Sequence, residues 1–174
     1  MSDDDRFHVL FVCLGNICRS PTAEAIMLAR VSEAGLTGKV VIDSAGTGRW
    51  HVGSPPDERS RAEARRRGIE MTSTARQVHI GDFEYFDLLL AMDSSNFADL
   101  ADLALDDTHR AKVGLFRSYD PALAGIDPTD PASSSRLDVP DPYYGGPSGF
   151  ADVFELLDDA CRGLLGHLTA EGLV

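Results

Sequence analysis

From Phe7 to Val12 the chain reads F-H-V-L-F-V, a short apolar run rich in β-branched and aromatic residues that suits a buried strand. The periodicity then changes: Ala23, Ile26, Met27, Val31 and Ala34 recur at helical spacing. A strand should end near Cys13 and a helix begin between Arg19 and Pro21. The stretch between Cys13 and Arg19 is too short for a free loop and contains Gly15 and Asn16. Its backbone is expected to curl tightly and aim several N–H groups at one centre, which makes an anion site.

The rest of the pattern continues the alternation. Gly35 to Gly38 reads as a helix stop, Val40 to Asp43 as a second strand, and Ser44 to Pro56 as a loop of Gly, Ser and Pro. Asp57 to Gly68 predicts an amphipathic helix, acidic at its start and closed by Arg65, Arg66 and Arg67, an arrangement that suits the helix dipole and a solvated end. Thr72 to His79 is expected to hold a short helix capped by Ser73 or Thr74. Phe86 to Ala91 predicts the third strand, followed by a helix through Leu103 capped by Ser94 or Ser95. Lys112 to Phe116 predicts a fourth strand and Ser118 to Pro121 a turn. Ala122 to Pro140 is a Pro-, Asp- and Ser-rich loop, and Phe150 to Leu168 a closing helix with Cys161 in its apolar stripe. Strand, helix, strand within one crossover length predicts parallel pairing with right-handed connections. The fold class expected is α/β: one three-layer domain over residues 1–174, with a central four-stranded parallel sheet flanked by helices and a phosphate-binding loop after the first strand.

Composition narrows the function. A chain of 174 residues that is 43% hydrophobic supports one full core. A formal net charge of -12 disfavours nucleic acid or anionic membrane as a partner, yet leaves room for one electropositive pocket. The charged start M-S-D-D-D-R reads as a mobile leader over Met1 to Arg6, without the basic and apolar regions of a secretory signal, and a cytoplasmic protein with no membrane insertion is expected. Cys13, Cys18 and Cys161 form neither a disulfide framework nor a zinc set.

Cys13 stands where a nucleophile would. A helix N-terminus, convergent amides and a guanidinium all favour a thiolate over a thiol. Arg19 supplies a planar fork that matches two oxygens of a phosphoryl group. Ser20 can donate to the sulfur, and Pro21 suits an early helical position where its missing N–H costs nothing.

The run V-C-L-G-N-I-C-R-S-P-T-A-E from Val12 to Glu24 resembles the signature of the low-molecular-weight protein tyrosine phosphatases, and D-P-Y-Y at Asp141 to Tyr144 resembles their second signature. The likeness extends through S-A-G-T at Ser44, W-H-V-G at Trp50, A-R-Q at Ala75 and M-D-S-S-N at Met92. It implies a tyrosine phosphatase working through a phosphocysteine, with Cys13 as nucleophile, Arg19 as phosphoryl clamp and Asp141 as the acid and later the base. The phosphate would be held by Leu14, Gly15, Asn16, Ile17, Cys18, Arg19 and Ser20. Leu14, Trp50, Tyr143 and Tyr144 would form a pocket suited to an aryl phosphate, with Ser20, Ser44 and Asp93 supporting the loops. His51 is expected to make a structural hydrogen bond, and Arg76 to act structurally or at the entrance. Cys13 and Cys18 are a candidate redox pair. No metal and no cofactor is required; the expected partners are tyrosine-phosphorylated proteins or peptides and, in vitro, small aryl phosphates. The 122–140 loop looks enlarged against the family pattern, which makes Asp138 and Asp127 the next carboxylates to consider for the acid.

Three rivals frame this reading. A thioredoxin-coupled arsenate reductase of the same fold needs relay thiols on a mobile segment, and Thr72 to Asp93 has none. A protein arginine phosphatase carries Thr in its look-alike loop where this chain has the apolar Ile17. A phosphotyrosine-binding module would need neither the thiol of Cys13 nor the acid of Asp141.

Overall fold

The computed structural model describes residues 5–146 and 148–174, so the first four residues of the expected leader lie outside the described residues. Strands β1 (Phe7–Cys13), β2 (Val40–Gly46), β3 (Leu88–Ala91) and β4 (Val113–Leu115) form one sheet in the order β2-β1-β3-β4. All three pairings are parallel, with Phe11 opposite Ser44 on one side and Leu90 on the other. β1 is therefore central and covered on both faces, the physical reason for its unbroken apolar run. Val9, Phe11 and Cys13 face the core shared with α1 (Arg19–Glu33) and the closing helix, while Leu10 and Val12 face a second core with Phe83, Leu100 and Leu137. The result is the expected three-layer α/β domain. Strand order reverses beside β1, and in such sheets the crevice at the carboxyl end of that strand is where ligands bind.

The remaining helices are α2 (Glu58–Arg66), α3 (Gly81–Tyr85), α4 (Ser94–Leu103), α5 (Asp107–Ala111) and α6 (Ser148–Ala170). The predicted α6 stripe is buried from Phe150 through Leu168, with Cys161 fully enclosed. Arg65, Arg66 and Arg67 at the end of α2 pair with Glu58, Glu70, Glu63 and Glu155.

Several boundaries differ from expectation. Thr72 to His79 is extended, not helical: Gly46 N–H donates to the Arg76 carbonyl and Val78 N–H to the Gly46 carbonyl, so this segment pairs with the end of β2. β2 accordingly runs on through Ser44, Ala45 and Gly46, which the loop-like composition had hidden. Phe86 follows α3 as its C-cap, and β3 starts only at Leu88. The α4 cap is Asp93, whose Oδ1 accepts the Asn96 N–H at 2.8 Å; Ser94 and Ser95 are already helical. β4 is shorter than Lys112 to Phe116 because α5, capped by Asp106, ends at Ala111 and Phe116 opens a 3-10 turn. The 122–140 loop carries a 3-10 turn at Ser134–Leu137 and is pinned by fully buried Leu137 and Val139.

Candidate active site

Residues 13 to 18 wrap the end of β1 into a tight loop. Asn16 takes the left-handed conformation with φ of 56°, which Asn tolerates better than most residues. Its backbone N–H points back at the Cys13 sulfur, 3.3 Å away, and the Ser20 hydroxyl is 3.0 Å from the same atom. The sulfur thus has one backbone donor and one hydroxyl in reach before any substrate group arrives, the hydroxyl lying also 3.3 Å from the Ala45 carbonyl oxygen. Gly46 makes the turn possible from the neighbouring strand: a Cβ there would sit 2.7 Å from the Leu14 carbonyl oxygen.

Behind the loop, the Asn16 side chain is fully engaged. Its amide nitrogen donates to Ser20 Oγ at 2.8 Å and Ser44 Oγ at 2.9 Å, and its oxygen accepts the Arg76 N–H at 3.0 Å. Ser44 in turn donates to Glu24 Oε2 at 2.5 Å. Burial pushes the Glu24 carboxyl up to about 7; the Ser44 hydrogen bond opposes that rise, Asp43 adds to it and Arg76 opposes it. Glu24 stands inside the quoted motif, yet nothing in its spacing marked it as the far end of this chain of hydrogen bonds. Arg76 has the structural role: its guanidinium bridges Asp43 and Asp82.

Arg19 opens α1 and is 3% exposed, so its orientation is set by the protein rather than by solvent. Nη1 donates to Asp93 Oδ2 at 2.6 Å and to the Val139 carbonyl at 3.0 Å, while Nη2 lies 3.6 Å from Asp141 Oδ2. Burial works against its charge, but Cys13 and then Asp93 hold its pKa above the usual value. Asp93 divides its two oxygens between capping α4 and holding Arg19. The Val139 carbonyl was invisible to sequence reasoning, since backbone groups carry no motif.

The D-P-Y-Y segment folds over this loop. Asp141 Oδ1 accepts the Tyr143 N–H at 3.0 Å, a tight turn that fixes the carboxyl near the pocket. Cys13, Leu14, Gly15, Ile17, Cys18, Arg19, Trp50, His51, Asp141, Tyr143 and Tyr144 line a single cavity of about 340 Å³. Asn16, Ser20 and Ser44 lie behind it and Asp93 beside it. Cys13 is 2% exposed at the base, against 75% for Trp50 and 91% for Tyr144 at the rim. His51 differs from expectation: among the described residues its ring makes no hydrogen bond and instead lines the cavity, 6.3 Å from the Tyr143 ring. Asp138 is taken up by the Ser94 N–H and hydroxyl, both at 2.8 Å, and Asp127 by Thr129, so neither faces the cavity.

Cys18 shares the loop with Cys13 and is buried like it. Burial, followed by the charge of Asp57, pushes its thiol up to about 12.

A parallel sheet with a Cys-x5-Arg loop at the end of its central strand, roofed by the Asp141 segment, is the arrangement of a cysteine-dependent phosphatase. The chain belongs to the family described as low molecular weight phosphotyrosine protein phosphatase, whose model matches residues 8–173. The low molecular weight protein-tyrosine-phosphatase of Streptomyces coelicolor is 47% identical over 91% of this chain and 92% of its own. The low molecular weight phosphotyrosine protein phosphatase of Homo sapiens is 39% identical over 95% of this chain and 98% of its own. Among solved structures, a protein tyrosine phosphatase from Entamoeba histolytica superimposes with a TM-score of 0.82 at 38% identity, covering 97% of this chain and 99% of that one.

Proposed function

We propose that this chain hydrolyses phosphotyrosine in proteins or peptides through a phosphocysteine intermediate. The observation that carries the reading is the single cavity in which Cys13, Arg19 and Asp141 meet below an aromatic rim. The Cys13 sulfur attacks phosphorus in line with the tyrosine oxygen. As the S–P bond forms and the P–O bond breaks, Asp141 delivers its proton to the departing phenolate. Arg19 and the loop N–H groups hold the three equatorial oxygens, where charge is greatest in the transition state. Asp141, now a carboxylate, takes a proton from the water that attacks the phosphocysteine, and the Ser20 hydroxyl stabilises the departing thiolate.

The depth of the thiol below Trp50 and Tyr144 supports an aryl phosphate over phosphoserine, whose phosphorus stands nearer its own backbone. The apolar Ile17 on the cavity wall supports tyrosine over phosphoarginine. Among the described residues no cluster of His, Cys, Asp and Glu could hold a metal ion, and no helix is long and apolar enough to cross a membrane. A cytoplasmic setting belongs to the same proposal, as does the lack of nucleic-acid partners, which the net charge of -12 supports. The deciding experiment is hydrolysis of phosphotyrosine, phosphoserine and phosphoarginine peptides, with arsenate reduction alongside, all in EDTA. Turnover of phosphotyrosine alone is expected; faster release from phosphoarginine would reassign the substrate.

A further inference from the structure

The acid segment is held by few contacts: its own turn, in which Asp141 accepts the Tyr143 N–H and the Pro142 carbonyl accepts the Gly145 N–H, buried Pro142, and Arg19 Nη2 at 3.6 Å from Asp141 Oδ2. Asp141 is exposed on one side, and Tyr144, Gly145 and Gly146 are exposed as well. Among the described residues, only one hydrogen bond reaches residues 141–145 from outside that stretch, and it comes from Arg59 on the first turn of α2. Its Nη1 donates to the Tyr143 carbonyl at 3.1 Å. The same guanidinium lies 5.3 Å from the Tyr143 ring centre and 4.5 Å from that of Phe150, a stacked cation between two aromatic faces.

The other edge of Arg59 is anchored. Nε donates to Asp57 Oδ1 at 3.1 Å and Nη2 to Asp57 Oδ2 at 3.0 Å, a two-pronged grip that only a planar fork can make. Asp57 is tied to the phosphate loop itself, its N–H donating to the Ile17 carbonyl at 2.8 Å. A continuous strut therefore runs from Ile17 through Asp57 and Arg59 to Tyr143, two residues from Asp141. Beneath it, Phe150 and Tyr143 pack with Ile17 and Cys18.

We propose that Arg59 is a positioning residue that sets the height of Asp141 over Cys13 by coupling the acid segment to the phosphate loop. The inference rests on the assignment of Asp141 as leaving-group acid. Proton delivery needs the carboxyl within hydrogen-bond reach of the tyrosine oxygen, and a displacement of about 1 Å is enough to cost up to about 10²-fold. Without Arg59, Tyr143 loses both its carbonyl partner and a stacking partner, so the segment carrying Asp141 samples wider positions. The phosphate loop keeps the hydrogen bonds that the Asn16 side chain donates to Ser20 and Ser44.

The test measures kcat/KM across aryl phosphates of graded phenol pKa, plus the inhibition constant of inorganic phosphate. It compares wild type, Arg59→Ala, Arg59→Lys, Asp141→Asn and the Arg59→Ala, Asp141→Asn double variant. Arg59→Ala is expected to lose on the order of tenfold or more on phosphotyrosine and little on substrates with acidic phenols. Arg59→Lys loses in the same direction, phosphate inhibition stays unchanged, and the double variant is no slower than Asp141→Asn alone. An equal loss across the series, an additive loss in the double variant, or failure of both Arg59 variants to fold overturns the proposal and makes Arg59 a stability residue. A flat series for Asp141→Asn overturns the acid assignment and this proposal together; a steep one beside a flat Arg59→Ala series overturns this proposal alone.

Discussion

Arg19 Nη1 lies 2.6 Å from Asp93 Oδ2, and that contact turns the guanidinium so that Nη2 faces the cavity near Asp141. The pair is almost wholly withdrawn from solvent on the Arg19 side. Arg19→Lys retains the charge but cannot hold Asp93 with one nitrogen while presenting another to a phosphoryl oxygen. A loss on the order of 10²-fold or more in kcat/KM for phosphotyrosine is expected. Steady-state kinetics of the folded variant check it, and a near-normal value would remove Arg19 from the clamp.

Cys13→Ser separates chemistry from binding. The hydroxyl is a far weaker nucleophile and leaving group, while the loop amides and Arg19 remain in place. Turnover should vanish and the affinity for inorganic phosphate should persist, which titration calorimetry can read. Retained turnover in a clean preparation would end the covalent role of Cys13.

The two loop cysteines should behave unequally under mild peroxide. Cys18, pushed up to about 12 by burial and Asp57, stays a thiol near neutrality and is a poor first target. Oxidation begins at Cys13, whose sulfenic acid then condenses with the Cys18 thiol to give a disulfide and water. Mass spectrometry should find that crosslink, reversed by dithiothreitol, and Cys18→Ser should convert it to irreversible sulfinic acid on Cys13. Sulfinic acid on Cys13 in the unaltered protein, without the crosslink, would count against protection by this pair.

How far the sequence could be read depended on the range of the interactions. β1, the phosphate loop and α1 were legible because their signals are local: an apolar run, a Gly-Asn turn, then a 3.6 period. The stripe of α6 was legible for the same reason. The extended course of Thr72 to His79 was not, because its partners are Gly46, Gly53 and Ser54, some twenty or more residues away, and tertiary pairing overrode the local Ser and Thr cap signals. At the site, residues that touch the cavity carried motifs, whereas Glu24, Arg59 and the Val139 carbonyl act through other groups and left no spacing to find. His51 was placed in the right loop with the wrong task, since the pattern cannot say which way a ring in a polar loop turns.

Glu24 gives the last prediction. Its carboxyl sits partly buried under the phosphate loop against the Ser44 hydroxyl, with Asp43 and Arg76 as the charged neighbours. Burial raises its pKa from 4.5 to about 7 in the folded protein. Between those two values the folded chain keeps a proton that the unfolded chain has released, so this group makes stability fall as pH rises from 4.5 to about 7 and level off above. The full difference is at most about 3 kcal/mol. Glu24→Gln keeps a donor and an acceptor for Ser44 but cannot ionise. Its stability relative to wild type should therefore be near equal at pH 5 and higher by about 1–3 kcal/mol at pH 8. Urea denaturation of both proteins across this range checks it, because every other titrating group cancels in the difference. A difference that does not change with pH would mean that Glu24 does not exchange its proton in this window. One that grows toward low pH would mean that the Ser44 hydrogen bond, and not burial, governs the carboxyl.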